Sequence, residues 1–162
     1  MAKSTFSGPV KSLAGFISAG VNNSVSLTAD TTLTVDAHAG KILLCNDADG
    51  KFTLPSIVTT TPSDPTDPNQ TNNIGATFNF YIETAATDLD IKTDGTDKFK
   101  GAILIAVDDG AKKAFVPAAS NDVITMNGST KGGIVGSIVS FTAIDTATYL
   151  VHSSLLIGSG TI

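Results

Sequence analysis

Apolar residues recur at every second position through most of the chain. Val25 and Leu27, Leu33 and Val35, Ile42 and Leu44, and Phe52 and Leu54 form four alternating runs between residues 23 and 54, the period of a half-buried strand. Phe78, Phe80 and Ile82 alternate with Thr77, Asn79, Tyr81 and Glu83, and Leu89-Asp90-Ile91-Lys92 continues the pattern, so these strands have one dry and one wet side. The continuous run Ile103-Leu104-Ile105-Ala106-Val107 predicts a strand covered on both faces. Ile124 with Met126, Ile134 to Phe141, and Tyr149 to Leu156 bring the expectation to about ten strands. Between them stand Ala29-Asp30, Asn46-Asp47-Ala48-Asp49-Gly50, Asp94-Gly95, Asp108-Asp109-Gly110 and Gly128-Ser129-Thr130-Lys131-Gly132-Gly133, whose Asp-Gly and Gly-Gly pairs accept the positive φ of tight turns.

Helical spacing at i, i+3, i+4, i+7 with a capping signal is missing, so helices should be scarce. The expected fold is all-β: a single β-sandwich, jelly-roll or barrel-like domain over residues 23–162. Two segments break the pattern. Residues 1–22, with Gly8-Pro9, Gly15 and Gly20, read as an extended N-terminal arm. Residues 55–75 carry Pro55, Pro62, Pro65 and Pro68 among Thr, Ser, Asp and Asn; this composition lacks ladder donors and bulk, and predicts a long exposed loop.

At 162 residues, one domain of this size buries roughly 70% of its unfolded surface and needs no cross-links. The one cysteine, Cys45, follows Ile42-Leu43-Leu44 and reads as a small buried hydrophobe. Charged residues make up 15% where about 25% is usual, so Thr, Ser, Asn and Gly must cover much of the surface. With 10 Lys+Arg against 15 Asp+Glu, a net charge of −5 and no basic cluster, the chain is a poor partner for nucleic acid or an anionic membrane. Residues 132–162 hold a single charge, Asp145, but are broken by Gly, Ser and Thr and do not form a membrane span. Lys3 and Lys11 ahead of Leu13-Ala14-Gly15-Phe16-Ile17 imitate a secretory leader poorly.

Candidate chemistry dissolves into turn chemistry. Asp47-Ala48-Asp49-Gly50 opens like a calcium loop but lacks the later bidentate Glu. Asp88, Asp90, Asp94 and Asp97 fall at strand ends and turns, where solvation is the expected role, since no apolar pocket separates two carboxylates for acid–base work. His38, His152 and Cys45 are too few for a metal site within one chain, leaving only a site shared by three copies on a threefold axis. Gly136-Ser137-Ile138-Val139-Ser140 lies in a β run rather than at a nucleophile elbow, and Lys131 stands on the wrong side of the glycines for a phosphate loop. Glycosylation patterns at Asn22-Asn23-Ser24, Asn69-Gln70-Thr71 and Asn127-Gly128-Ser129 carry weight only in a secreted chain. No catalytic, cofactor or metal residue is expected.

The ordered set Ala39-Gly40-Lys41, Phe52-Thr53-Leu54-Pro55, Gly75-Ala76-Thr77-Phe78 with Phe80, Asp97-Lys98-Phe99-Lys100-Gly101, Asp122-Val123-Ile124-Thr125-Met126-Asn127-Gly128, Gly132-Gly133, Gly136 and Tyr149-Leu150-Val151 resembles the capsid decoration and head-fibre proteins of tailed bacteriophages. The opening Met1-Ala2-Lys3-Ser4-Thr5-Phe6-Ser7-Gly8-Pro9-Val10-Lys11-Ser12 resembles the N-terminal arms of marine phage virion proteins. The chain departs from the pattern in its Pro-rich insertion, in Tyr149 where Trp is common, and in Ser137 where Asp is common. The resemblance implies a non-enzymatic homotrimer on the capsid exterior, assembled in the host cytoplasm, with the major capsid protein as partner. On this reading the arm anchors to the capsid, with Phe6, Val10, Lys11, Leu13, Phe16 and Ile17 as contact residues. The alternatives are a head- or tail-fibre module that binds a host-surface glycan and, behind it, a polysaccharide-degrading spike enzyme.

Overall fold

The computed structural model describes residues 23–59, 72–106 and 112–158. The N-terminal arm with its six candidate contact residues, the centre of the Pro-rich loop and the turn at Asp108-Asp109-Gly110 lie outside them. The described residues are all-β, with strands β1 (Ser24–Leu27), β2 (Thr31–Thr32), β3 (Ile42–Cys45), β4 (Lys51–Thr53), β5 (Thr77–Ile82) and β6 (Leu89–Lys92) in the first half. The second half contributes β7 (Lys98–Gly101), β8 (Ile103–Ala106), β9 (Lys112–Phe115), β10 (Val123–Met126), β11 (Ile138–Asp145) and β12 (Thr148–Ile157).

Two sheets share one core. The large sheet runs β1-β3-β5-β11-β12-β8-β9, with β7 also beside β12, and the small sheet runs β10-β6-β4-β2. From β1 to β6 the chain alternates between them, so that β1, β3 and β5 are successive parallel neighbours in one sheet and β2, β4 and β6 in the other. Parallel neighbours need a crossover, ordinarily a helix; here each crossover is a strand of the opposite sheet. The first half is therefore a flattened coil, wound as in β-solenoids. The second half closes it with antiparallel pairs, β5 with β11 and β11 with β12 in the large sheet, β6 with β10 in the small one.

The period-two pattern fills the interior. Leu43 and Cys45, Phe78, Phe80 and Ile82, Val139, Phe141 and Ala143 point inward from the large sheet, and Phe52, Leu89, Ile91, Ile124 and Met126 meet them from the small one. Phe52 stacks on Phe80 across the two sheets, centroids 6.4 Å apart at 25°. Phe80 and Phe99 both contact Phe141. Truncating any of these rings would cost about 3–5 kcal/mol.

Three local expectations need correction, and one strand has no counterpart in the periodicity. Val35 lies in a short helix, α1 (Val35–His38), because Thr34 caps it by accepting from the Ala37 amide and Asp36 sits in its first turn, a better outcome for orphan amides than a lone strand end. Leu104 is 51% exposed, so β8 is covered on one face only. The strand expected from Ile134 begins at Ile138, since Gly136 turns the chain with φ +95°. Lys112–Phe115, which shows no alternation, forms β9 by pairing with β8 at the sheet edge.

A matched bend links β7, β8 and β12. Gly101, at φ +114°, lies so close to β12 that an added Cβ would stand 2.2 Å from the Val151 carbonyl oxygen. Opposite it, β12 carries a bulge at Ser153, φ +48°, where the register on β11 slips between Ser140↔His152 and Ile138↔Leu155. The Ser154 hydroxyl turns inward, donating to the Ala102 carbonyl at 2.9 Å and accepting from the Leu104 amide at 3.1 Å. The extra residue resets the alternation, so His152 and Leu155 emerge on the same face.

Candidate interaction surface

The residues that point away from the core differ sharply between the sheets. On the large sheet, cross-strand register aligns Ser26, Leu44, Tyr81, Ile138 and Leu155 in one row over β1, β3, β5, β11 and β12. Leu104 of β8 emerges on the same side, because its neighbour Ile105 pairs beside the buried Leu156. Ile42, Ile138, Leu155 and Leu104 are among the exposed large hydrophobics. The adjoining row is Ser24, Ile42, Asn79, Ser140 and His152.

Its polar groups satisfy one another without charge. Asn79 Oδ1 accepts from the Ser140 hydroxyl at 2.9 Å. The Thr142 hydroxyl lies 2.8 Å from both Thr77 Oγ1 and His152 Nε2. Side chains already paired in this way lose little when water is removed. No Asp, Glu, Lys or Arg occupies an outward position in either row, but charge stands beside both: Glu83 accepts from Asn46, which also bonds Ser26, and Lys100 pairs opposite Leu150.

The small sheet is built the other way. Lys51 pairs with Asp90 and Thr53 with Lys92 on β4 and β6, and the Lys51 ammonium bridges Asp88 at 3.1 Å and Asp90 at 3.2 Å. Asp90 also accepts from the Thr125 hydroxyl at 2.7 Å. Burial works to lower the Lys51 pKa, but the hydrogen bonds to Asp88 and Asp90 outweigh it and raise it. Such a ladder is costly to strip of water.

The expected acidic cluster is only partly solvated. Asp97 is 3% exposed, because the base of the Pro-rich loop packs over it and the Ile57 amide donates to its carboxylate at 2.9 Å. Burial raises its pKa, with the neighbouring Asp94 adding to the effect. Asp94 moves the opposite way: the Ser56 hydroxyl, 2.6 Å away, is the largest influence holding its pKa down, helped by the Thr96 and Asp97 amides. Asn73, buried, closes the base by accepting from the Val58 amide and donating to the Ser56 carbonyl. Tyr149, fully buried, donates to the Pro55 carbonyl at 2.6 Å. The ends of the loop read as exposed are thus pinned by Asp94, Asp97 and Tyr149 and tied to each other through Asn73.

The other candidates take structural places. Cys45 is buried, and burial pushes its thiol up to about 12, which leaves it inert as a nucleophile. Ser137, also buried, accepts from the Ile157 amide at 2.9 Å and ties down the end of β12. His38 Nδ1 accepts from the Thr34 amide within its own turn. Gly128 to Gly133 form a hairpin closed by a bridge between Ser129 and Gly132. Among the described residues, no three His, Cys, Asp or Glu converge as metal ligands, and no helix is long and apolar enough to cross a membrane.

A small cavity of about 200 Å³ opens between Phe115, Val116 and Val123 over a floor of Phe99 and Ile124. Ligand pockets usually start near 300 Å³, so it suits a single apolar side chain better than a small molecule. Sequence reading missed both apolar surfaces. A signal existed in Ile42-Leu43-Leu44-Cys45, apolar on both parities, but Leu155 becomes outward only through the Ser153 bulge. Comparisons of the chain with protein-family models, with curated proteins and with solved structures find no match.

Proposed function

We propose that the chain is a non-enzymatic decoration, or cement, protein of a tailed-phage capsid, which binds the outside of the assembled head and stabilises contacts between major capsid subunits. The observation that carries the reading is the outer face of the large sheet: an apolar row with uncharged, mutually satisfied polar groups along one side and Asn46 bonded to the Glu83 carboxylate on the other, a surface suited to contact with protein rather than to a reaction. The ordered turn glycines and strand apolars that resemble such proteins support it.

The mechanism is linkage. A head under internal pressure is stabilised by any protein that binds only its intact, assembled form, and simultaneous contact with several subunits multiplies weak contacts. A homotrimer supplies that multiplicity. Residues 1–22 supply the anchor through Phe6, Val10, Lys11, Leu13, Phe16 and Ile17.

Mixing the purified chain with undecorated heads tests this. Saturable, stoichiometric binding over the whole head is expected, with raised resistance of the heads to heat, and deletion of residues 2–20 should weaken it. Binding confined to a few vertices, or to host cells and their glycans, would replace the reading with a fibre module.

A further inference from the structure

The two sheets part at one end of the core. There β9 ends the large sheet and β10 the small one, and the cavity of about 200 Å³ opens between them, with Phe115, Val116 and Val123 at its mouth. Val116 is 79% exposed, and Phe115 and Val123 stand out beside it. We propose that this opening is a docking site for an extended, acidic peptide segment of a partner protein, which adds a strand to β10 and seats one Phe side chain in the cavity. The site lies apart from the outer face of the large sheet, and the inference does not rest on the capsid reading.

Backbone geometry supplies the edge. The Thr93 amide donates to the Asp122 carbonyl, which fixes the alternation along the β6–β10 ladder. Ile124 and Met126 therefore bond toward β6, whereas the amides and carbonyls of Val123 and Thr125 point away from it. The neighbouring strand obeys the same alternation: the Asp90 amide donates to Gly50 and the Lys92 carbonyl accepts from Leu54, both on the side away from β10. The Asn121 carbonyl is taken by the Phe99 amide. Beyond that bond, no described strand pairs with the free side of β10. An open edge accepts an added strand, and a pocket beside it selects alternate side chains of that strand.

The cavity selects the anchor. It is too small for an ordinary small-molecule ligand, and its floor of Phe99 and Ile124 belongs to the core. Between Phe99 and Phe115 a third ring can meet its neighbours edge to face.

Charge selects the flanks. Asp122 is held by Lys98 at 2.6 Å and Asp90 by Lys51 at 3.2 Å. Lys92, directly opposite Val123, and the exposed Lys100, which follows Phe99, have no ion-pair partner among the described residues. The mouth is thus locally cationic on a chain of net charge −5. Acidic residues on either side of the anchor complement it.

The probe is a labelled heptapeptide with a central Phe among Asp, Glu and Thr, titrated with the full chain and read by fluorescence polarisation. Saturable binding of one peptide per chain is expected, weaker in high salt. Replacing the central Phe by Ala, or methylating alternate backbone amides of the peptide, should each weaken binding about tenfold or more. Val123→Glu should do the same. The double variant Lys92→Glu, Lys100→Glu should prefer a peptide whose acids are replaced by Lys, and it keeps the test open should circular dichroism show Val123→Glu unfolded. Absence of saturable binding, binding unmoved by amide methylation or by folded Val123→Glu, or equal binding of the Lys peptide to the wild type would each overturn the proposal. So would self-association that Val123→Glu abolishes, which would give the edge to a second copy. Lost peptide binding in a Val123→Glu chain that still decorates heads supports this inference and leaves the capsid reading intact, whereas peptide binding by a chain that never binds heads refutes only the capsid reading.

Discussion

The two outer faces are made by the same period-two rule and differ only in what occupies the outward parity. On β4 and β6 that parity holds Lys51, Asp90 and Lys92, with Asp90 tied to Thr125 of β10. On β3, β5, β11 and β12 it holds Ile42, Leu44, Tyr81, Ile138 and Leu155 among Thr, Ser and Asn. The inner faces are interchangeable in kind, both lined by Phe, Leu and Ile. The contrast teaches that stability and recognition are written on alternate residues of the same strands. Inward changes are felt by the whole fold, and outward ones by whatever the face meets.

Removing what both faces stand on should have the largest effect. Phe80→Ala deletes the ring that touches both Phe52 of the opposite sheet and Phe141 of its own, and should cost about 3–5 kcal/mol in urea unfolding. Gly101→Ala comes next: its Cβ would meet the Val151 carbonyl at a φ that L-residues avoid, for about 2–3 kcal/mol. Because the same bend brings Leu155 to the outer face, that variant should also weaken the proposed binding to heads, whereas Phe80→Ala should weaken it only in proportion to unfolding. Equal stability of wild type and Gly101→Ala would show that the bend is not needed.

Smaller effects separate the faces themselves. Lys51→Met removes the cation between Asp88 and Asp90, both partly exposed, and should cost about 0.5–1 kcal/mol, shrinking in high salt. Ile138→Ser, on the outer face of the large sheet, should change stability by about 0.5 kcal/mol or less and be insensitive to salt, because it breaks no ion pair. Urea unfolding of both variants in low and high salt checks the contrast.

The smallest effects are expected at the loop base, where two carboxylates shift in opposite directions from their ordinary 3.8. Asp97 has its pKa raised by burial, so its contribution favours folding below about pH 3.8 and is lost as pH rises through the folded value. Asp97→Asn keeps an acceptor for the Ile57 amide and should melt at or above the wild-type temperature at pH 7, the difference closing in acid. Asp94 has its pKa lowered, so its contribution is present above about pH 3.8 and lost as pH falls through the folded value. Ser56→Ala should therefore lower the melting temperature slightly at pH 7 and not in acid. Melting curves at pH 3 and pH 7 check both signs.

The residues themselves determined the all-β class, the inward set from Leu43 to Val151, the turns at Asp49-Gly50, Asp94-Gly95 and Gly132-Gly133, and the burial of Cys45. Those are local matters: alternation states which parity is apolar, and Gly95, Gly132 and Gly133 take the positive φ that their pairs accept, although Gly50 turns without it. Other features needed distant partners. That β1, β3 and β5 are parallel and coil through a second sheet follows from which strands meet, and Thr34 capping α1 overrode an alternation that looked like a strand. Asp97 became buried because the base of a loop some forty residues earlier in the chain packs over it. Leu155 faces outward because β12 bulges at Ser153 to follow the bend at Gly101. Periodicity is a property of neighbours along the chain. Register, burial of a carboxylate and the composition of a whole face are set by which strands pair and where they bend, and those contacts are made across the fold.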